Sequence, residues 1–130
     1  MTSLHEESIR QALAGDPLVG REVRVLPEVG STNDYLKEAA RGGAPEGLAV
    51  LAERQTAGKG RLGRSFQSPA GLGLWMSVLL RPTCPPERLP PVTALTAAAC
   101  AEAIRKVCGA EAGIKWPNDL VLGGRKLCGI

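Results

Sequence analysis

Apolar residues recur along the chain at two spacings, and these spacings predict a mixture of helices and short strands. Between residues 89 and 108 they repeat every three or four positions, which predicts the clearest helix of the chain, closed by Gly109. The apolar run 48–52 is flanked by loops and predicts a buried strand. Residues 72–80 are also rich in apolar side chains and predict a second core strand.

Weaker patterns add elements nearer the N-terminus. We expect residues 4–14 to form a short helix and residues 21–29 to form a strand. Ser31 or Thr32 is a natural N-cap for the next helix, which has an acid in its first turn and ends at the glycine pair 42–43.

The C-terminal part has the pattern of a small β-structure. Residues 113–116 predict a strand, and residues 120–122 and 125–130 predict a β-hairpin around the two-residue turn Gly123-Gly124. Strands that are joined by hairpins and mixed with helices favour an α+β fold with a mixed β-sheet.

Composition narrows the class of protein without indicating a function. A chain of 130 residues suits one domain, and a net charge of +3 is too small to indicate a nucleic-acid partner by itself. Four cysteines without a Cys-x-x-Cys pair, and a single histidine, do not suit a zinc site, so we expect no metal-ligating residues and mostly packed, reduced thiols. The pattern of a signal peptide and a membrane-length apolar run are both missing, so we expect a cytoplasmic protein that does not bind membranes.

The basic segment 54–64 carries the most informative chemistry. Three glycines and three cations alternate over residues 58–64 and no acid interrupts them, so an anion can approach the backbone amides closely. Nothing in the segment anchors it in a core, and we expect a mobile loop that folds over a phosphate or carboxylate. A solvated basic loop explains the pattern about as well. A nucleic-acid contact is a third alternative, although no aromatic residues are interleaved with the cations.

Three further polar segments accompany this basic segment. They are Ser-Thr-Asn at 31–33, Lys-Trp-Pro-Asn-Asp at 115–119 and Arg-Lys-Leu-Cys-Gly-Ile at 125–130, while the basic segment itself contains Gln-Thr-Ala-Gly-Lys-Gly-Arg-Leu-Gly-Arg at 55–64. From about Val25 to the last residue, the four segments in this order resemble the biotin protein ligase family. The order is far more specific than any one motif.

The resemblance implies a fold and its division along the chain. The fold would be a mixed β-sheet with helices packed on one side, similar to class II aminoacyl-tRNA synthetases. Residues 21–130 would be the N-terminal portion of a biotin–lipoate ligase catalytic domain. Residues 1–20 would be a short helical segment, too short for a helix-turn-helix domain, so DNA binding is not expected.

The resemblance also implies an activity. It would be the ATP-dependent activation of biotin to biotinyl-5′-AMP, followed by transfer to a lysine of a biotin carboxyl carrier protein, as in acetyl-CoA carboxylase. Biotin, ATP and Mg²⁺ would be required, and the resemblance allows a homodimer.

By the same resemblance, one set of residues would bind biotin: Ser31, Thr32, Asn33, Gln55, Lys59, Gly60, Arg61 and Lys126. The Ser-Thr-Asn segment would hydrogen-bond the ureido ring, although helix capping explains a serine or threonine there equally well. Gln55 could instead be a surface residue at a strand end. Lys59 stands where the family commonly has arginine, and lysine keeps the charge but loses the bidentate fork.

A second set would act on the phosphate, with Arg61, Lys115 and Lys126 as the catalytic cations. Arg61 would hold the adenylate phosphate, and Lys126 would meet the biotin carboxylate and the transferring phosphate. The nucleotide-binding residues would be Gly58, Arg64, Phe66, Asn118 and Asp119.

Each of these roles has a structural alternative. A hairpin lysine such as Lys126 is usually a solvated edge residue. Phe66 could be a small-core aromatic residue, and 118–119 could form a simple turn after proline. Trp116 is expected to pack rather than to take part in catalysis.

The chain stops at Ile130, within or beside a strand, and the segments with which the family's catalytic domain continues do not appear. We therefore expect an open sheet edge and an incomplete nucleotide pocket. The alternatives to an active ligase are a catalytically incomplete biotin-binding fragment and a lipoate-type ligase of the same fold.

Overall fold

A computed structural model of the protein describes residues 3–130, and the chain divides after Arg81 into two compact units. Each unit contains one three-stranded sheet. The predicted α+β class is confirmed. The predicted mixed sheet is confirmed as well, because the sheet of the first unit contains one parallel and one antiparallel pair of strands, while the last three strands form a separate antiparallel sheet.

The first unit contains two helices and three strands. They are α1 (Glu6–Ala12), β1 (Glu22–Leu26), α2 (Thr32–Arg41), β2 (Leu48–Ala52) and β3 (Trp75–Val78). Strand β2 lies in the middle, parallel to β1 and antiparallel to β3. The predicted buried strand over residues 48–52 is confirmed, because all five of its residues are buried.

Helix α2 packs on one face of this sheet. Leu36 of α2 forms a buried cluster with Leu48 and Val50, which alternate along β2 and therefore point to the same face. Leu26 of β1 packs against this cluster as well. The N-terminus of α2 is consequently fixed over the strand ends that lead into the basic loop.

The ends of α2 form as the sequence predicts. Ser31 is the N-cap, and its hydroxyl oxygen accepts a hydrogen bond from the backbone N–H of Asp34 at 3.5 Å. The helix ends at Gly42. Arg81 adds a second stabilising contact at this end, because its guanidinium donates to the carbonyl oxygens of Ala40 at 3.2 Å and Ala44 at 2.7 Å.

The prediction of a core strand over residues 72–80 is wrong in length and burial. Strand β3 begins only at Trp75, because its ladder partner β2 ends at Ala52 and leaves the preceding residues without a strand to pair with. Leu72 is 81% exposed and Leu74 is 58% exposed. Elements α1 and β1 are also shorter than the predicted ranges 4–14 and 21–29.

The second unit contains one long helix and an antiparallel meander. The elements are α3 (Pro90–Cys108), β4 (Gly113–Lys115), β5 (Asp119–Leu122) and β6 (Arg125–Gly129). The predicted hairpin is confirmed: Leu122 pairs with Arg125, and Gly123 and Gly124 both have positive φ angles, of 56° and 75°.

Helix α3 confirms the predicted helix, and it ends at Gly109 in the left-handed conformation. The apolar residues that repeat along α3 are mostly not buried. Only Ala97 is fully buried, whereas Leu95 is 72% exposed and Val107 is 87% exposed. Among the described residues, no helix combines the length and the apolar character that crossing a bilayer requires.

The cysteines are all unpaired, which agrees with the prediction of reduced thiols. The prediction that they are mostly packed is wrong for two of the four, because Cys84 and Cys108 are exposed. Cys128 is partly buried, and this burial raises the pKa of its thiol, so the thiol stays protonated at neutral pH.

Candidate functional site

The basic segment doubles back on itself as an irregular hairpin. The backbone N–H of Gln55 donates to the carbonyl of Ser68 at 3.0 Å, and that of Phe66 donates to Gly58 at 2.8 Å. Its tip is a single turn of 3₁₀-helix, Arg61–Gly63, in which Leu62 has a φ of 57° and is 90% exposed. The expectation that nothing anchors this loop is therefore wrong for its base.

Gln55 attaches the base of the loop to the start of α2. Its carbonyl oxygen Oε1 accepts from the backbone N–H of Thr32 at 2.8 Å and lies 3.1 Å from the Thr32 hydroxyl. Its Nε2 donates to the hydroxyl of Ser68 at 2.9 Å. Gln55 is therefore a partly buried bridge between two segments, and the alternative of a plain surface residue is wrong.

Gly58 is required by the close approach of the two sides of the loop. A Cβ atom at this position would lie 2.4 Å from the carbonyl oxygen of Phe66 and 2.6 Å from the hydroxyl of Ser68. The first of these atoms belongs to the backbone and cannot rotate away. The absence of a side chain at Gly58 thus has a structural reason, whatever the loop binds.

Lys59 is held by an acid of α2. Its Nζ lies 2.6 Å from Oδ2 of Asp34 and donates to Oδ1 at 2.8 Å. This hydrogen bond holds the pKa of the Asp34 carboxyl below its ordinary value of 3.8, and Lys37 at 3.9 Å acts in the same direction. The basic loop and the first turn of α2 are therefore linked electrostatically.

The other loop side chains are more open to solvent. Gly60 is partly buried and donates its backbone N–H to the carbonyl of Arg64 at 2.7 Å, while the side chains of Arg61 and Arg64 are exposed at the tip. Phe66 is 38% exposed and packs edge-on against Trp75, with ring centroids 5.9 Å apart. The alternative of a buried small-core aromatic is therefore wrong for Phe66.

A residue that the sequence analysis did not select completes this cluster. Ser77 of β3 has its hydroxyl oxygen 2.7 Å from Oγ1 of Thr32, and it donates to Oδ1 of Asn33 at 2.5 Å. Ser77 carries the one hydroxyl in the apolar run 72–80, and this isolated polar position is the signal that could have identified it.

The first turn of α2 also borders two open grooves. One, of about 320 Å³, has Asn33 and Ser77 in its lining, beside the apolar side chains of Leu36 and Leu79. The other, of about 500 Å³, has Ser31 in its lining, beside residues of α2. Ser31 and Thr32 are themselves 3% exposed, so only small parts of their side chains reach solvent.

The second unit holds its own charged cluster. Nζ of Lys126 on β6 lies 3.0 Å from Oδ1 of Asp119 on β5. A Cβ atom on Gly129, which pairs with Asp119, would lie 3.1 Å from that nitrogen, so the glycine leaves room for the lysine. Lys126 is a half-exposed side chain on an edge strand, held against an acid, so the alternative of a solvated edge lysine stays open.

The remaining predicted residues of this unit lie around the same sheet. Asn118 is 9% exposed, and its Nδ2 donates to the carbonyl of Ile130 at 3.4 Å, which makes it more than a simple turn residue. Lys115 is exposed and pairs with Asp119 in the ladder. Trp116 was expected to pack, but it is 66% exposed.

The structure thus brings the predicted residues together in two groups, one in each unit. The first comprises Ser31, Thr32, Asn33, Gln55 and Lys59, and the second comprises Lys115, Asn118, Asp119 and Lys126. Within residues 3–130 there is no group of three or more His, Cys, Asp or Glu side chains that could hold a metal ion.

Comparison with known sequences connects this arrangement to a family. The model of the biotin/lipoate A/B protein ligase family matches residues 25–130. The bifunctional ligase/repressor BirA of Bacillus subtilis is 39% identical over 98% of this chain and 39% of its own length. The biotin–[acetyl-CoA-carboxylase] ligase of Mycobacterium tuberculosis is 37% identical over 98% of this chain and 50% of its own length.

Solved structures give the same picture for the fold. The biotin protein ligase from Aquifex aeolicus in complex with biotin and ATP superposes with a TM-score of 0.69 and 37% identity, covering 84% of this chain and 45% of that one. The biotin protein ligase from Leishmania major in complex with biotinyl-5-AMP also superposes with a TM-score of 0.69. It is 31% identical, and the match covers 81% of this chain and 49% of that one. The chain spans about half the length of these relatives, or less.

Proposed function

Because this chain belongs to the biotin/lipoate A/B protein ligase family, we propose that it carries the biotin-binding and activating residues of a biotin–protein ligase. A carboxylate oxygen of biotin would attack the α-phosphorus of ATP, and pyrophosphate would leave. The amine of an acceptor lysine would then attack the acyl carbon of biotinyl-5′-AMP, and AMP would leave. The observation that carries this proposal is the hydroxyl and amide cluster at the start of α2, to which the basic loop is attached.

The first group suits a neutral, polar ring. Ser31 uses a lone pair to cap α2, so its hydroxyl hydrogen remains for a ligand acceptor. Asn33 is exposed, and it borders a groove with apolar walls. Ligand sites are typically apolar clefts with a few fixed polar groups, and biotin combines an apolar chain with a ureido ring. We assign Ser31, Thr32, Asn33 and Gln55 to this ring.

The cations suit the charge that develops on phosphate. Arg61 and Arg64 are exposed at the tip of the loop, where an anion can reach them from solvent. Lys126 is oriented by Asp119, so its charge is fixed before substrate arrives. Fixed cations of this kind stabilise developing negative charge better than water does. We assign Arg61, Lys115 and Lys126 to the phosphate and the biotin carboxylate.

The other loop and turn residues support these groups. Gly58 and Gly60 allow the two sides of the loop to approach, and Lys59 holds the loop against α2. Phe66 offers an aromatic wall to the nucleotide. We assign Asn118 and Asp119 to the binding of the nucleotide. Mg²⁺ would be bound mainly by the phosphates of ATP, as is usual for this ion.

The acceptor would be a lysine of a biotin carboxyl carrier protein, since one relative is named a biotin–[acetyl-CoA-carboxylase] ligase. Four unpaired cysteines suit a reducing compartment such as the cytoplasm.

Mass spectrometry of the purified chain with biotin, ATP and Mg²⁺ tests this function. We expect biotinyl-5′-AMP to form, and Lys126→Ala to reduce its yield by about a hundredfold or more. Lys106→Ala removes an exposed lysine of the same unit, which pairs with Glu102, and should leave the yield unchanged.

Calorimetric titration with biotin and with lipoate separates binding from turnover. Binding of biotin in preference to lipoate supports the assignment of the first group. A folded chain that binds neither acid and makes no adenylate would contradict the proposal, and a preference for lipoate would indicate a lipoate-type ligase.

A further inference from the structure

Ser77 lies outside the four motifs that characterise the chain, yet it touches two of the residues assigned to biotin. We propose that Ser77 is a positioning residue that holds the side-chain amide of Asn33 with its NH₂ group turned outward, ready to donate to an acceptor oxygen of biotin. This inference rests on the proposed function for its ligand, whereas the orientation of the amide can be tested without any ligand.

The distance between the two side chains decides which end of the amide faces Ser77. The contact from the Ser77 hydroxyl to Asn33 is 2.5 Å. This length lies within the range of O–H···O hydrogen bonds and below that of N–H···O bonds. Asn33 therefore turns its carbonyl oxygen Oδ1 toward Ser77, and its Nδ2 points elsewhere.

The number of available hydrogens fixes the rest of the chain of hydrogen bonds. Ser77 has one hydroxyl hydrogen, and this hydrogen goes to Asn33. At its 2.7 Å contact with Thr32, Ser77 then accepts, and the one hydroxyl hydrogen of Thr32 goes to Ser77 in preference to Oε1 of Gln55, which lies farther away at 3.1 Å. Gln55 still receives the backbone N–H of Thr32 at 2.8 Å. Every member then has a partner, and the short 2.5 Å contact between Ser77 and Asn33 selects this arrangement.

The outward NH₂ group selects the chemistry of the ligand. Asn33 is exposed and borders the 320 Å³ groove together with Ser77. A donor beside an apolar wall favours a ligand oxygen that accepts, such as a urea carbonyl or a carboxylate. Without Ser77, the amide could rotate and present its oxygen instead, which would repel the same acceptor.

Side-chain amide signals in a ¹⁵N–¹H NMR spectrum test the orientation directly. Asn33→Ala assigns the NH₂ pair of Asn33. We expect Ser77→Ala to shift or broaden this pair, and Ser77→Thr to restore it, because threonine keeps the hydroxyl and suits a strand. Ser8→Ala removes an exposed serine of α1 and should change nothing at Asn33. Unchanged Asn33 signals in Ser77→Ala would overturn the inference.

Biotin affinity tests the consequence for the ligand. We expect Ser77→Ala to weaken biotin binding about tenfold, with recovery in Ser77→Thr. Asn33→Asp keeps the shape but removes the donor, and it should weaken binding at least as much. Equal affinity in all these variants would also overturn the inference. Shifted Asn33 signals in a chain that does not bind biotin would support the role of Ser77 and contradict the proposed function.

Discussion

Nζ of Lys59 lies 2.6 Å from Oδ2 of Asp34, and this ion pair ties the basic loop to the first turn of α2. Both side chains are about half exposed, so a ligand anion can reach the lysine and compete with the carboxylate. The loop therefore has a fixed base and an exposed, positively charged tip.

Removing the acid of this pair should loosen the loop. We expect Asp34→Asn to make residues 58–65 two- to about fivefold more sensitive to trypsin, because an exposed ion pair contributes modestly to closure. Asp16→Asn, which removes an exposed pair with Arg21, should leave the cleavage rate unchanged. Biotinyl-5′-AMP should protect the loop in the unmodified chain. If Asp34→Asn, Asp16→Asn and the unmodified chain were cleaved at equal rates, the ion pair of Lys59 and Asp34 would not hold the loop.

The same pair predicts a dependence on acid pH. Lys59 holds the pKa of Asp34 below its ordinary value of 3.8, so the charged carboxylate stabilises the folded loop. This contribution is fully present above the ordinary value and is lost as the pH falls through the lower folded value. We expect amide hydrogen exchange in the loop to differ between the parent chain and Asp34→Asn above the ordinary pKa of 3.8, and to converge as the pH falls through the lowered pKa of Asp34. A difference that persists in acid would refute the electrostatic cause.

Gly58 should not tolerate even one added methyl group. We expect Gly58→Ala to lower the free energy of unfolding by about 1–3 kcal/mol, because the new Cβ would meet the backbone oxygen of Phe66. Gly30→Ala is the matched control, since no atom lies within 4 Å of a Cβ there and its φ is not positive. Chemical denaturation of the two variants measures the difference, and similar stabilities would show that the loop can widen at Gly58.

Arg61 should retain the activated intermediate. We expect Arg61→Ala to release biotinyl-5′-AMP at least about tenfold faster, because a charge-assisted contact to the phosphate is lost. Arg41→Ala removes an exposed arginine that pairs with Glu38 on α2, and it should not change release. Stopped-flow dissociation of the intermediate measures both rates. Unchanged release from Arg61→Ala would remove that residue from the site.

The local patterns predicted the elements well where neighbours in sequence decide the structure. The cap at Ser31, the left-handed end at Gly109 and the glycine turn of the C-terminal hairpin all form as expected. The pattern failed for residues 72–80, because the length of β3 is set by its partner β2 and not by its own apolar content. For α3, the apolar spacing predicted the helix correctly, but it wrongly indicated that Leu95 would be buried.

The sequence by itself determined the family and the types of residue at the candidate site. Four motifs in one order identify the family, and the same motifs contain those residues. Only the tertiary structure decided how these residues are held. Lys59 meets Asp34 across 25 positions, and Ser77 reaches Asn33 across 44, at distances that no local pattern encodes. Such contacts depend on where α2 packs over the sheet, and that placement comes from the buried cluster of Leu36, Leu48 and Val50.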